Sequence, residues 1–285
     1  MLPRTARGVF SRVKDLLWRR PLARVLDVLA LAFVAHFHRV IGTKFHYAQL
    51  GFDEHYFVWE GFSMAKGMVP YRDFQEFKPP MIFVANAMAI KLFGLDAMGY
   101  RRLFMLLSLV AFLVLTVALL SRGVSRLLTC GLAALLINHF FDGGLHDSTI
   151  NNAESLGLDF FVIGTAVLLV DTKWKRTQQM LGGAVLALAP LSKEPLAIAT
   201  VAAWLALLLL DRFEAKGEPA TKRFVAYTVG GVALVVGTWL VYMLVTHSLG
   251  WYIFQLKLNI AYTKNYALQL GWFPKDPKEG VWAES

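Results

Sequence analysis

Cysteine, charged residues and glycine-based nucleotide motifs are scarce in this sequence. A single cysteine, Cys130, stands among 285 residues, which excludes an intrachain disulfide and a cysteine-based metal site. Charged residues make up 17% of the chain, less than a soluble domain of this length carries. No phosphate-binding glycine loop, dinucleotide-binding glycine pattern or serine-hydrolase elbow occurs. These absences leave few of the common classes of soluble enzyme.

Hydrophobic residues are abundant instead and make up 56% of the chain. They form continuous runs of membrane-spanning length, and continuous rather than alternating runs favour helices over a membrane barrel. The net charge of +9 lies in short basic clusters between these runs. Such clusters are typical of membrane topology signals rather than of a nucleic-acid partner. We therefore predict an all-α integral membrane protein that binds no nucleic acid.

About seven segments are predicted to cross the membrane, after a basic amphipathic segment over 1–22 on the cytoplasmic face. Their approximate ranges are 23–41, 103–120, 127–141, 156–171, 178–191, 196–210 and 224–246. The first apolar run lacks the small-residue cleavage site of a signal peptide, so we expect it to be retained. The transmembrane module then covers 23–246, and an aromatic tail over 247–285 follows on the outer face.

The apolar segment over 80–94 decides the topology. If it crosses the membrane, the basic residues of several later loops fall outside. If it docks at the outer surface as a short helix, every short basic loop is cytoplasmic, as the positive-inside rule requires. It also carries Asn86 and Lys91 and is short for a span. We choose the docked helix, which leaves three outer regions before the tail: a first outer loop over 42–102, a second over 142–155, and the turn Leu191–Pro195.

The first outer loop holds two groups of polar residues. Asp53 and Glu54 begin a predicted helix, where carboxylates either cap the N-terminus or are available for chemistry. A second group is concentrated beside the membrane surface: Tyr71, Arg72, Asp73, Glu76 and Lys78. Lys78 precedes the proline pair that would start the docked helix. A cation there can meet a lipid phosphate, and surface salt bridges are the alternative interpretation.

The other outer regions add further polar candidates. The second outer loop contains Asp147, Asn151 and Glu154 and lacks Lys and Arg. Its carboxylates and amides suit a divalent cation, or they cap the next helix. Lys193 and Glu194 interrupt two spans at membrane depth, where ionisable residues are functional candidates by default.

The order of these motifs resembles that of the GT-C glycosyltransferases, above all their protein-mannosyltransferase-like branch in bacteria. The resemblance covers about residues 25–200. Its motifs in chain order are Asp53-Glu54, Gly67-x-x-Pro70-Tyr71-Arg72-Asp73-Phe74, Lys78-Pro79-Pro80, a short helix ending at Phe93-Gly94, and Arg101 or Arg102 opening a span. Glu154 and the turn Leu191-Ser192-Lys193 are similar to later parts of the pattern.

The resemblance implies a polyprenyl-phosphate-linked sugar as donor, transferred with inversion to an acceptor on the outer, periplasmic face of a bacterial inner membrane. It assigns the base to Asp53, with Glu54 as its motif neighbour, and the donor phosphate to Lys78. The leaving phosphate gains charge and needs cations, for which Arg72, Lys193 and Arg102 are further candidates. Asp53 and these cations should flank one cavity. Candidates for the acceptor, the sugar or a second acidic site are Tyr71, Asp73, Asp147, Asn151, Glu154 and Glu194.

Three alternatives stay open at this stage. Family members are generally longer, so the resemblance also fits a truncated GT-C-fold protein that binds or translocates lipid without catalysis, or one completed by a partner membrane subunit. The third alternative is a transporter or an assembly scaffold, and transport is disfavoured by the lack of an inverted repeat. No cofactor is required by the motifs, although Asp53, Asp147 and Glu154 are candidate ligands of a divalent cation. The sugar and the acceptor are not predicted.

Overall fold

A computed structural model describes residues 20–46, 52–76, 78–95, 99–141, 151–170, 174–214 and 218–269. Regular structure in these ranges is helical, apart from an isolated bridge between Pro70 and Phe74. The ten helices are α1 (Arg20–His46), α2 (Phe52–Ala65), α3 (Met81–Phe93), α4 (Gly99–Ser121), α5 (Arg126–Phe141), α6 (Ala153–Leu169), α7 (Lys175–Leu188), α8 (Leu196–Glu214), α9 (Glu218–Val245) and α10 (Leu249–Gln269).

Among the described residues, four helices are long and apolar enough to cross a membrane, as expected of a helical membrane protein. The qualifying stretches lie in α1, α4, α8 and α9: Ala23–Thr43, Arg101–Ser121, Leu196–Phe213 and Thr221–Val245. Each of the seven segments predicted to cross coincides with a helix. The remaining three, α5, α6 and α7, have 16, 17 and 14 residues. Length and composition therefore identify four spans rather than seven.

The helices pack through small residues where they approach most closely. α7 lies between α6 and α9, and a Cβ added to Gly183 of α7 would stand 2.2 Å from the carbonyl oxygen of Thr228 in α9. On the other side of α7, a Cβ on Gly164 of α6 would stand 2.7 Å from the backbone nitrogen of Leu186. Glycine at these positions lets backbones touch, which is how helices associate tightly in membranes.

Ion pairs and hydrogen bonds between helix ends define two ends of the bundle. Glu54 at the start of α2 pairs with Arg101 at the start of α4, and Lys193 before α8 pairs with Glu154 at the start of α6. We call this the site end. At the opposite end, Asp27 near the start of α1 pairs with Arg126 at the start of α5. Arg122, which follows α4, donates to the Leu169 carbonyl at the end of α6.

The short helix α3 lies between α2 and α4 in the sequence, and both of these helices begin at the site end. Its first amide, Met81 N–H, donates to the Leu191 carbonyl in the turn at the site end. α4 also begins at the site end, through its Arg101–Glu54 pair. With 13 residues, α3 is about 20 Å long. This arrangement agrees with the docked helix chosen from the sequence.

The segment after α9 differs from the expected aromatic tail, because residues Leu249–Gln269 form a 21-residue helix. Polar residues such as Lys257 and Asn259 interrupt its apolar sequence. A prediction based on continuous apolar runs therefore does not detect this helix. Tyr252 on this helix packs edge-to-face on Tyr71, with ring centroids 4.9 Å apart. The predicted segment 1–22 lies almost wholly outside the described residues.

Candidate functional site

A cavity of about 960 Å³ opens at the site end of the bundle. One wall comes from the loop before α3 and from the turn between α7 and α8, and the other comes from α10. Its lining residues are Glu76, Lys78, Lys193, Glu194, Pro195, Leu256, Asn259, Ile260 and Tyr262. We call it the lysine cavity. Two lysines and two glutamates line it beside a largely apolar helix face. The lysines suit the anionic head, and the helix face suits the apolar chain, of an amphiphilic ligand.

Lys78 is fixed at this cavity through its backbone. Its N–H donates to Glu76 Oε1 at 2.8 Å, and its carbonyl accepts from the Tyr71 hydroxyl at 2.9 Å. Its ammonium lies 3.8 Å from Asp53 Oδ2 and 5.4 Å from the ring centroid of Phe57. The sequence predicted that Asp53 and the cations flank one cavity. The structure brings the Asp53 and Lys78 side chains together, but Asp53 is not among the residues that line the lysine cavity.

Lys193 reaches the same cavity from the turn after α7. The Met81 N–H donates to the Leu191 carbonyl at 3.0 Å, which joins this turn to the segment that follows Lys78. The Lys193 ammonium pairs with Glu154. Burial alone would raise the pKa of Glu154, but the Lys193 hydrogen bond and charge outweigh it and lower that pKa. Glu154 is therefore held as a carboxylate beside Lys193.

Tyr71 occupies a strained backbone position under the cavity. Its φ of 69° lies in the left-handed region, which a bulky residue rarely adopts and which costs about 1–3 kcal/mol. The side chain is 1% exposed and packs edge-to-face on Phe83 and Tyr252. We infer that this packing and the hydrogen bond to Lys78 hold Tyr71 in place. Its position is that of a support for Lys78.

Glu54, the predicted neighbour of the base, has a different partner. Both of its oxygens accept hydrogen bonds from the Arg101 guanidinium, at 2.7 and 2.6 Å, and both side chains are at most 1% exposed. This bidentate pair joins α2 to α4. Of the two arginines at the start of α4, Arg101 is buried in this pair, while the predicted phosphate candidate Arg102 is exposed.

Arg72 and Asp73 pair with each other rather than lining the cavity. Arg72 Nε and Nη2 donate to the Asp73 carboxylate at 2.7 and 2.9 Å, and Nη1 donates to the Thr246 carbonyl at the end of α9. The Arg72 hydrogen bond, together with the Val69 N–H, lowers the pKa of Asp73 to about 2. Arg72 thus already has a carboxylate and a carbonyl as acceptors.

Asn151 binds a residue of the docked helix. Its amide and that of Asn86 exchange two hydrogen bonds, at 2.9 and 2.7 Å, and both side chains are fully buried. This pair ties the end of the second outer loop to α3. Glu194, the remaining acidic candidate, lines the cavity and accepts from Asn259 of α10 at 3.1 Å. Asp147 lies outside the described residues.

Sequence reasoning missed two contributors to this site. Asn259 and the apolar face of α10 were assigned to a tail. Glu60 of α2 was not singled out, because a lone acid in an aromatic helix gives no motif. Within the described ranges, no group of three or more His, Cys, Asp and Glu residues is arranged to hold a metal ion. Because Asp147 lies outside those ranges, the candidate set of Asp53, Asp147 and Glu154 stays a prediction.

No protein-family model, no curated protein and no solved structure matches this chain. The resemblance to the GT-C glycosyltransferases therefore stays a prediction that the motifs of this sequence carry.

Proposed function

We propose that this protein is a membrane glycosyltransferase of the GT-C type. It takes a sugar from a polyprenyl-phosphate donor and transfers it, with inversion, to an acceptor on the outer face of a bacterial inner membrane. The observation that carries the proposal is the lysine cavity, where Lys78 and Lys193 face the apolar residues of α10. A polyprenyl phosphate has the same two parts, an anionic head and an apolar chain.

The chemistry rests on Asp53 and the two lysines. The Asp53 side chain is 64% exposed and stands beside Lys78, so an acceptor hydroxyl can approach it. A carboxylate within hydrogen-bond reach takes the proton of that hydroxyl as the new glycosidic bond forms. The bond from the sugar to the phosphate breaks, and the charge that develops on the phosphate is stabilised by Lys78 and Lys193.

The proposed topology has seven crossings with the cytoplasmic N-terminus predicted from the sequence. Alternating helices would bring the starts of α2, α4, α6 and α8 to one face, and the ion pairs at the site end support this arrangement. Arg126, Asp27 and Arg122 cluster at the opposite end, in agreement with basic residues on the cytoplasmic side. The site then faces the periplasm.

The test uses purified full-length protein in lipid nanodiscs with a panel of polyprenyl-phosphate-linked hexoses and pentoses. We expect Asp53→Asn to bind the donor as the wild type does but to lose about 10²–10⁴-fold in transfer rate, the range that a general base contributes. Lys78→Ala should weaken donor binding itself. Lys91→Ala, which removes an exposed lysine from the far end of α3, is the matched control and should change neither.

Full transfer activity in Asp53→Asn would refute the assignment of the base. Donor binding by the wild type without transfer to any acceptor would instead favour a non-catalytic lipid-binding protein. Failure of the wild type to bind any polyprenyl phosphate would refute both.

A further inference from the structure

Glu60 of α2 is a buried carboxyl group beneath the lysine cavity, and the proposed reaction does not use it. The side chain is fully buried, neither of its carboxyl oxygens accepts a hydrogen bond from the described part of the chain, and the Glu76 carboxyl group lies within hydrogen-bond reach. An ionised carboxylate in such a place loses its hydration and gains no compensating donor, at a cost of several kcal/mol. The neutral, protonated form avoids this cost.

Three titratable groups influence Glu60. Burial and, after it, the nearby Glu76 carboxyl group raise the pKa of Glu60 to about 10, although Lys78 and the Tyr56 hydroxyl act in the opposite direction. Tyr56, one turn earlier, contributes a hydroxyl group and donates to the Gln75 carbonyl at 3.2 Å. Two adjacent carboxyl groups share one negative charge more easily than they carry two.

Glu76 connects this pair to the cavity. It is 6% exposed and lines the lysine cavity, and its Oε1 accepts from the Lys78 N–H at 2.8 Å. A neutral Glu60 can donate a hydrogen bond to Glu76, whereas an ionised Glu60 or a side chain without a donor cannot. Loss of this contact would let Glu76 move and would weaken the hydrogen bond that fixes the Lys78 backbone.

We propose that Glu60 is a positioning residue: its buried carboxyl group, in the neutral form, donates a hydrogen bond to Glu76, and Glu76 in turn holds the Lys78 backbone at the cavity. The value of this arrangement to donor binding rests on the proposed function, whereas the protonation of Glu60 and its effect on Lys78 do not.

The first test measures protonation without any donor. In the unfolded chain Glu60 has its ordinary pKa of 4.5, and in the folded protein about 10. Between these pH values the folded protein keeps a proton that the unfolded chain has lost. The resulting stabilisation of the folded state is complete below the lower pKa and is lost as the pH rises to the upper one. Glu60→Gln does not titrate. The unfolding constant of the wild type, relative to that of Glu60→Gln, should therefore rise up to tenfold per pH unit across this window. Parallel pH profiles would overturn the protonation.

The second test follows Lys78 directly. Reductive methylation of Lys78, measured by mass spectrometry, is compared with that of the exposed Lys91 in the same sample. Gln keeps the shape and the donor group of a protonated Glu, so Glu60→Gln should retain the wild-type ratio of the two rates. Glu60→Leu, which lacks any donor, should change the ratio several-fold while remaining folded. Equal ratios in all three proteins, or equal changes in both variants, would overturn the positioning role.

A third measurement is binding of a polyprenyl monophosphate. Wild type and Glu60→Gln should bind with similar affinity, and Glu60→Leu should bind at least tenfold more weakly. If the wild type binds nothing, the proposed function fails, while the titration and labelling results still decide the role of Glu60.

Discussion

The buried pair of Glu54 and Arg101 gives the most direct test of how the site is built. The Glu54 carboxylate, at the start of α2, either takes part in the reaction or stabilises the fold. Both side chains are at most 1% exposed, and two short hydrogen bonds join them. Glu54→Gln keeps the shape but leaves the Arg101 charge buried without its counter-ion. Removal of one partner from such a pair costs about 3–5 kcal/mol.

Asp53→Asn is the matched control for this experiment. Asp53 is adjacent in sequence but its side chain is 64% exposed, with an ion pair of 3.8 Å to Lys78. Exposed substitutions of this kind change stability by about 0.5 kcal/mol or less. The two variants should therefore differ in which property they lose. Glu54→Gln loses stability, while Asp53→Asn loses transfer activity and keeps its stability.

Replacement of both charges gives a second control. A buried ion pair exchanged for apolar residues of similar volume is often neutral or stabilising, so Glu54→Met with Arg101→Met should recover most of the lost stability. The assay is the free energy of unfolding in detergent micelles, followed by the loss of helical circular dichroism. A Glu54→Gln protein as stable as Asp53→Asn would refute a structural role for this pair.

Two further predictions concern packing at the site end. Asn151→Ala should cost about 1–3 kcal/mol, because it leaves the buried Asn86 Oδ1 without its donor; replacement of both by Leu should cost less, and the same unfolding assay checks this. Gly61→Ala should destabilise the protein by about 1–3 kcal/mol, because the added Cβ would lie 2.3 Å from the Asn86 Cβ. Gly237→Ala has open space around it and should be neutral; equal effects of the two alanines in thermal melts would contradict the packing argument.

The sequence predicted the local features of this fold well. Apolar runs predicted most of the helices. The distribution of basic residues favoured an α3 that does not cross the membrane; α4 does begin at the site end, while the position of α3 relative to a membrane stays a prediction. The side chains of Asp53 and Lys78, predicted for one site, lie 3.8 Å apart. These inferences succeed because hydropathy and charge asymmetry are properties of short segments.

The pairings between distant residues were not predictable in the same way. Glu54 and Arg101 are 47 positions apart, and Asn86 and Asn151 are 65 apart. No local rule distinguishes Arg101 from its neighbour Arg102 as the partner of Glu54. The choice depends on how α2 and α4 each pack against α3. The wall formed by α10 depends in the same way on contacts made by Tyr252 and Asn259.

The charges around the lysine cavity explain why its two lysines would respond differently to a phosphate. Each lysine has a carboxylate partner, Asp53 for Lys78 and Glu154 for Lys193. The Lys78 pair is long and includes an exposed carboxylate, and such pairs contribute about 0–1 kcal/mol. A phosphate group would therefore displace Asp53 from Lys78 at small cost, whereas Lys193 would bind the phosphate with its remaining N–H donors while keeping its pair with Glu154. Under the proposed function, donor binding then frees the Asp53 carboxylate at the step where an acceptor hydroxyl needs a base.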